Sequence, residues 1–144
     1  MIPISKPFLS TEEAQSAYDT ILSGWVTQGP RVEEFENEFA KLTGAKYAVA
    51  VSNCTTALHL SLIVAGVRKD DEVICPSLSY IATANSIRYV GAKPVFAEVC
   101  NDYNLDVNDI ENRITKNTKA ILLVHQMGMP ANIGEVKIIC KKYS

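Results

Sequence analysis

The chain has 144 residues, 47% hydrophobic and 21% charged, proportions of an ordinary globular domain able to bury a core rather than of a disordered chain. Its formal net charge is −2 with acidic and basic residues interspersed, so no basic stripe follows a phosphate backbone and nucleic acid is not an expected partner. Cysteines at 54, 75, 100 and 140 show neither CxxC nor Cys/His spacing, which argues against a disulfide scaffold or zinc site and for reduced thiols.

The N-terminus lacks the basic and apolar regions of a signal peptide, and no apolar stretch approaches a membrane span. A soluble, cytoplasmic protein with no membrane partner is expected. Two helices come first. Ser10, Thr11, Glu12 and Glu13 make a capping-box pattern, followed by Ala14, Ala17, Tyr18, Ile21 and Leu22 at helical spacing. Gly24 ends that helix, residues 25–29 form a loop, and Pro30 suits the first turn of the next. Val32, Phe35, Phe39 and Leu42 then recur until Gly44 stops the run.

From Tyr47 the period changes. Residues 47–52 form a short apolar run without alternation, the pattern of a strand buried on both faces. Further strands are predicted at 72–75, 94–99 and 119–124, separated by helices near 56–66, 81–90, 107–113 and 132–142. Strands alternating with helices imply right-handed crossovers and an α/β fold with a mostly parallel sheet and flanking helices. No repeat, low-complexity tract or linker interrupts it. The expected division is a helical segment over 1–45 and an α/β unit over 46–144.

Ligands of such sheets bind outside the carboxyl ends of the strands. The first predicted strand ends in Ser52, Asn53, Cys54, Thr55 and Thr56, where a helix begins with unpaired N–H groups that favour an anion. Asn53 and Thr55 can equally do no more than cap the helix. Neither G-x-G-x-x-G nor G-x-x-x-x-G-K-[ST] occurs, which sets aside dinucleotide and P-loop functions. The second strand leads to Tyr80, whose ring could stack on a planar ligand or be an ordinary half-buried tyrosine. The fourth leads to His125, an acid, a base, a ring contact, or a histidine hydrogen-bonded into its loop. His59, among Leu58, Leu60 and Leu62, reads as packing. Lys46, Lys69, Lys93 and Lys119 fall in turns or at strand starts, where solvation leaves a lysine its ordinary basicity. No nucleophile-and-base pair or nucleophile elbow is present. The residues alone reach a phosphate-plus-ring ligand with the catalytic apparatus incomplete.

Many short motifs in order carry a further reading. They are Ile2 and Pro3, Lys6 and Pro7, Trp25, Gly29 and Pro30, Phe35 and Glu36, the stretch 51–60 (VSNCTTALHL), and 70–77 (DDEVICPS). They continue with 82–85 (ATAN), 91–96 (GAKPVF), 118–121 (TKAI) and 124–130 (VHQMGMP). In this order and spacing the chain resembles the DegT/DnrJ/StrS sugar-nucleotide aminotransferases, which depend on pyridoxal phosphate (PLP).

The resemblance implies an incomplete PLP fold type I large domain, like that of aspartate aminotransferase, with its first part at 46–144. It implies that Thr55 and Thr56 bind the PLP phosphate, that Tyr80 stacks on the pyridine ring, and that Asn85 and His125 lie near the site. Residues 25–29 match a segment near the substrate and the dimer partner. Such enzymes transfer an amino group, from glutamate, to a keto-sugar nucleotide, and work as homodimers in amino-sugar and polysaccharide biosynthesis. Cys54 departs from the family's usual glycine, so a slightly different or strained turn is expected there. The family's pyridinium-pairing aspartate and Schiff-base lysine fall beyond Ser144, so no catalytic residue is assigned and this chain alone is expected not to transaminate. Its strand at 47–52 is expected to lack a neighbour and leave open edges. Two alternatives remain: a non-catalytic module binding PLP or a nucleotide sugar, and a relative that uses PLP for sugar dehydration.

Overall fold

The computed structural model describes residues 6–143; Ile2 and Pro3 of the motifs above lie outside them. Two units divide the chain, the first ending at Ala50 and the second beginning at Val51.

The first unit holds two helices, α1 (Thr11–Ser23) and α2 (Pro30–Thr43). The capping box that opens α1 is complete. Glu12 N–H donates to Ser10 Oγ at 3.1 Å, and Glu13 Oε2 accepts from Ser10 N–H at 2.6 Å, so each end satisfies a donor of the other. Gly24 and Gly44 close the helices with φ of 77° and 71°, a left-handed conformation that a Cβ would penalise. Residues 25–29 form the loop between them.

Residues 47–52 form no strand, and Tyr47 and Val49 are 75% and 78% exposed rather than buried. An apolar run becomes a strand only when a neighbour takes its N–H and C=O groups, and no described strand runs beside this one. Ala50 N–H finds a carboxylate instead, donating to Glu36 Oε1 at 2.7 Å.

The sheet has three parallel strands, β1 (Glu72–Pro76), β2 (Lys93–Ala97) and β3 (Thr118–Ile121), in the order β2-β1-β3. Central β1 is buried along its whole length, which explains its unbroken apolar sequence. Its side chains alternate between two cores. Val73 and Cys75 pack with Leu62, Val67, Ile87 and Ala92 on the face covered by α3 (Cys54–Val64) and α4 (Ala82–Tyr89). Ile74 packs with Ala97, Leu105, Ile110, Val136 and Ile139 on the other face, under α5 (Val107–Arg113) and α6 (Ile133–Lys142). Opposite faces for the two crossovers are what right-handed connections require when α4 leads from β1 outward to β2 and α5 returns across β1 to β3.

Candidate functional site

All three carboxyl ends lie on one edge of the sheet, because the strands are parallel. The α3 helix belongs to the same edge. Its C-terminal end feeds, through Val67 in the core, into the start of β1, and the helix packs beside α4, so its N-terminus faces the carboxyl side.

Asn53 caps α3. Its Oδ1 accepts from Thr56 N–H at 2.9 Å and from the Thr56 hydroxyl at 3.2 Å, and Ser52 Oγ stands 3.3 Å from Thr56 Oγ1. No described residue accepts from the N–H groups of Cys54 or Thr55, the first two of the helix. Thr55 and Thr56, both half-buried, therefore sit where open N–H donors, hydroxyls and the positive end of a helix coincide. Cys54 is the first helical residue and is not among those with left-handed φ. The strained turn expected there does not form: the extended Asn53, at φ −166°, makes the turn, so a Cβ at 54 is accommodated.

Tyr80 lies in the loop between β1 and α4. Its carbonyl accepts from Thr83 N–H at 3.0 Å while the residue is 78% exposed, so backbone holds the position and the ring stays free. Asn85 is half-buried one turn into α4, and its side-chain amide bonds to no described residue.

His125 follows β3 at the same edge. Its Nδ1 accepts from Ala131 N–H at 2.9 Å, which leaves the proton of the neutral ring on Nε2. A short 3-10 turn, Gln126–Gly128, follows, with Met127 left-handed at φ 52° and almost fully exposed. Sequence reading missed the residue that secures this loop. Asn104, 4% exposed, accepts from Gln126 N–H at 3.0 Å and donates to Met129 O at 3.3 Å. The only signal in sequence is its place in the turn-rich stretch 101–104, which reads as an ordinary loop.

The site residues thus share the carboxyl edge: a helix N-terminus with two threonines, an exposed aromatic ring, and an imidazole of fixed tautomer. The set suits a ligand with an anionic group and a flat ring. Among the described residues, no lysine stands on the loops that follow β1, β2 and β3. Lys93 lies at the opposite, amino edge, paired with Glu72 at 3.2 Å, and His59 contacts the Tyr89 ring at 5.7 Å, a packing role as read from sequence. Burial pushes the Cys75 thiol up to about 11, so it stays protonated and inert. A groove of about 790 Å³ lies along β3 and α6, lined by Thr118, Ile121, Ile139 and Tyr143 among others. None of the site residues lines it.

Among the described residues no group of acids, cysteines and histidines is arranged to hold a metal, and no helix is long and apolar enough to cross a membrane. A family model described as the DegT/DnrJ/EryC1/StrS aminotransferase family matches residues 7–144. The spore coat polysaccharide biosynthesis protein SpsC of Bacillus subtilis is 41% identical over 143 residues, 99% of this chain and 37% of SpsC. GDP-perosamine synthase of Escherichia coli O157:H7 is 40% identical over 142 residues, 97% of this chain and 39% of that protein. A Streptococcus pneumoniae protein assigned as a sugar aminotransferase, solved in its PLP form, superposes with a TM-score of 0.91 at 33% identity. That match covers 96% of this chain and 36% of the solved one. The chain thus spans less than two fifths of the length of these relatives.

Proposed function

Since the chain belongs to the DegT/DnrJ/EryC1/StrS aminotransferase family, whose cofactor is PLP, we propose that it is the N-terminal part of a sugar-nucleotide aminotransferase. The intact enzyme takes an amino group from a donor such as glutamate and places it on a keto-sugar nucleotide, for amino-sugar and polysaccharide biosynthesis in the cytoplasm. It works as a homodimer, with residues 46–144 as the first part of the cofactor domain and 1–45 as a helical lead-in.

One observation carries the reading: the open N-terminus of α3, with Thr55 and Thr56, lies on the same sheet edge as the exposed Tyr80 ring. That donor set fits the cofactor. The N–H groups of Cys54 and Thr55 and the threonine hydroxyls bind the phosphate, whose charge the helix end favours. Tyr80 orients the ring by stacking. Asn85 lies on α4 beside that loop, and His125 offers its Nε2–H to a ring or substrate oxygen. When bound, PLP supplies an electron sink for the amino-group transfer. Among the described residues no lysine to carry it stands on the loops that follow the strands, so by this reading the chain does not turn over alone.

Two measurements test this. PLP added to the 15N-labelled chain is expected to move the amide signals of residues 54–57 and the Tyr80 ring, with inorganic phosphate moving the first set only; no movement in either set overturns the assignment of the site. The product of the source gene, read past the codon for Ser144, is then assayed with glutamate and a keto-sugar nucleotide for 2-oxoglutarate. Deoxygenated sugar without amination would place the protein with the sugar dehydratases instead. Binding with no turnover would leave a ligand-binding module.

A further inference from the structure

We propose that Asn104 is the positioning residue of the His125 loop, its single buried amide clamping both ends of the turn that presents the imidazole at the carboxyl edge. The assignment of that edge as the cofactor side rests on the function proposed above; the clamp does not.

The amide is nearly saturated. Oδ1 accepts from Gln126 N–H at 3.0 Å, and Nδ2 donates both to Met129 O at 3.3 Å and to Asp102 Oδ2 at 3.1 Å. Its orientation is therefore enforced, since a flipped amide would set oxygen against both a carbonyl and a carboxylate. Asn104 is itself held. Its N–H donates to Asp102 Oδ1 at 3.1 Å, its carbonyl accepts from Cys100 N–H at 2.8 Å, and Tyr103 beside it is left-handed at φ 65°. The bonds from Asn104 keep the Asp102 carboxyl below its ordinary range, so the anchor stays ionised. The loop following β2 thereby reaches across to the loop following β3.

Within the clamped loop, Gly128 N–H bonds back to His125 O at 3.1 Å and Met129 N–H to Gln126 O at 2.9 Å. That compact turn brings Ala131 N–H to His125 Nδ1 at 2.9 Å. Nδ1 is thus the acceptor and Nε2 carries the proton. Releasing Gln126 N–H and Met129 O frees the turn that delivers Ala131, and with it the tautomer. A residue that only fills space would leave the tautomer unchanged when replaced by another of similar size.

The test uses the full chain uniformly labelled with 15N, in which only two histidines, His59 and His125, give ring signals. At a pH where the ring is neutral, His125 is expected as a single Nε2–H tautomer. In Asn104→Leu it is expected as a mixture of both tautomers, with Gln126 and Ala131 amides exchanging about tenfold faster and the methyl signals of Ile74, Ile87 and Ile110 unchanged. A single tautomer and unaltered exchange in that variant would overturn the proposal. Should Asn104→Leu lose its core methyl dispersion, Asn104→Ala replaces it: it removes the acceptor for Gln126 and the donor to Met129 without adding bulk or charge beside Asp102. Mixing of tautomers is then expected, and an unmixed ring overturns the clamp. PLP titration of the same samples separates the two ideas, because absent shifts at residues 54–57 defeat the cofactor reading while the tautomer result stands.

Discussion

Thr56 shares its N–H and hydroxyl with Asn53, whereas the N–H groups of Cys54 and Thr55 remain open. An incoming phosphate therefore meets open donors first and competes with a side chain at the third. Thr55→Ala and Thr56→Val are each expected to weaken PLP binding to the chain by about tenfold, the worth of one hydrogen bond to a charged group, measured by titration. Glu72 makes a prediction in pH. Donation from the Thr115 hydroxyl at 2.6 Å, then from Lys93, lowers its carboxyl from the ordinary value. A depressed carboxylate stabilises the fold above its unfolded pKa and loses that contribution as pH falls through its folded one. Acid unfolding should thus gain a component below about pH 4.3 that Glu72→Gln removes, followed by circular dichroism against pH. The capping residues were legible because they act on their own helix a few positions away. Asn104 was not, since its partners Gln126 and Met129 lie 22 and 25 positions further on and only the folded loops bring them together.

Helices and strands differ in what they need from the rest of the chain. The capping box, Gly24, Pro30 and Gly44 were readable in place because a helix satisfies its own backbone and its ends depend on local residues. Gly44→Ala, forced to φ 71°, is expected to destabilise the fold by about 1–2 kcal/mol, read as a fall of several degrees in Tm. The run at 47–52 has strand composition too, yet apolar residues show only a preference for burial; the partner that makes a strand is encoded elsewhere. Strands β1, β2 and β3 were legible for the converse reason, since each brings its neighbours in register within about fifty residues.

The second unit keeps a two-sided core around β1, with Ile74, Ile87 and Ile110 fully buried. Ile74→Ala is expected to cost about 2–5 kcal/mol, checked by denaturant unfolding. Much apolar surface stays uncovered, Tyr47 and Val49 in the first unit and Val64 and Met127 in the second, and the outer edges of β2 and β3 have no described partner strand. The chain alone should be marginally stable and self-associate, its light-scattering mass rising with concentration; a reversible, cooperative melt of a monomer would contradict this. The α/β alternation was legible from periodicity, whereas the order β2-β1-β3 was not, because strand order is decided by which face each crossover helix takes. That choice has a consequence in time. With α6 already seated beside α5 on one face, a right-handed connection delivers any strand made after it to the outer edge of β3. On a translating ribosome, the direction in which the sheet grows would then be settled by a docked helix before the next strand has been synthesised.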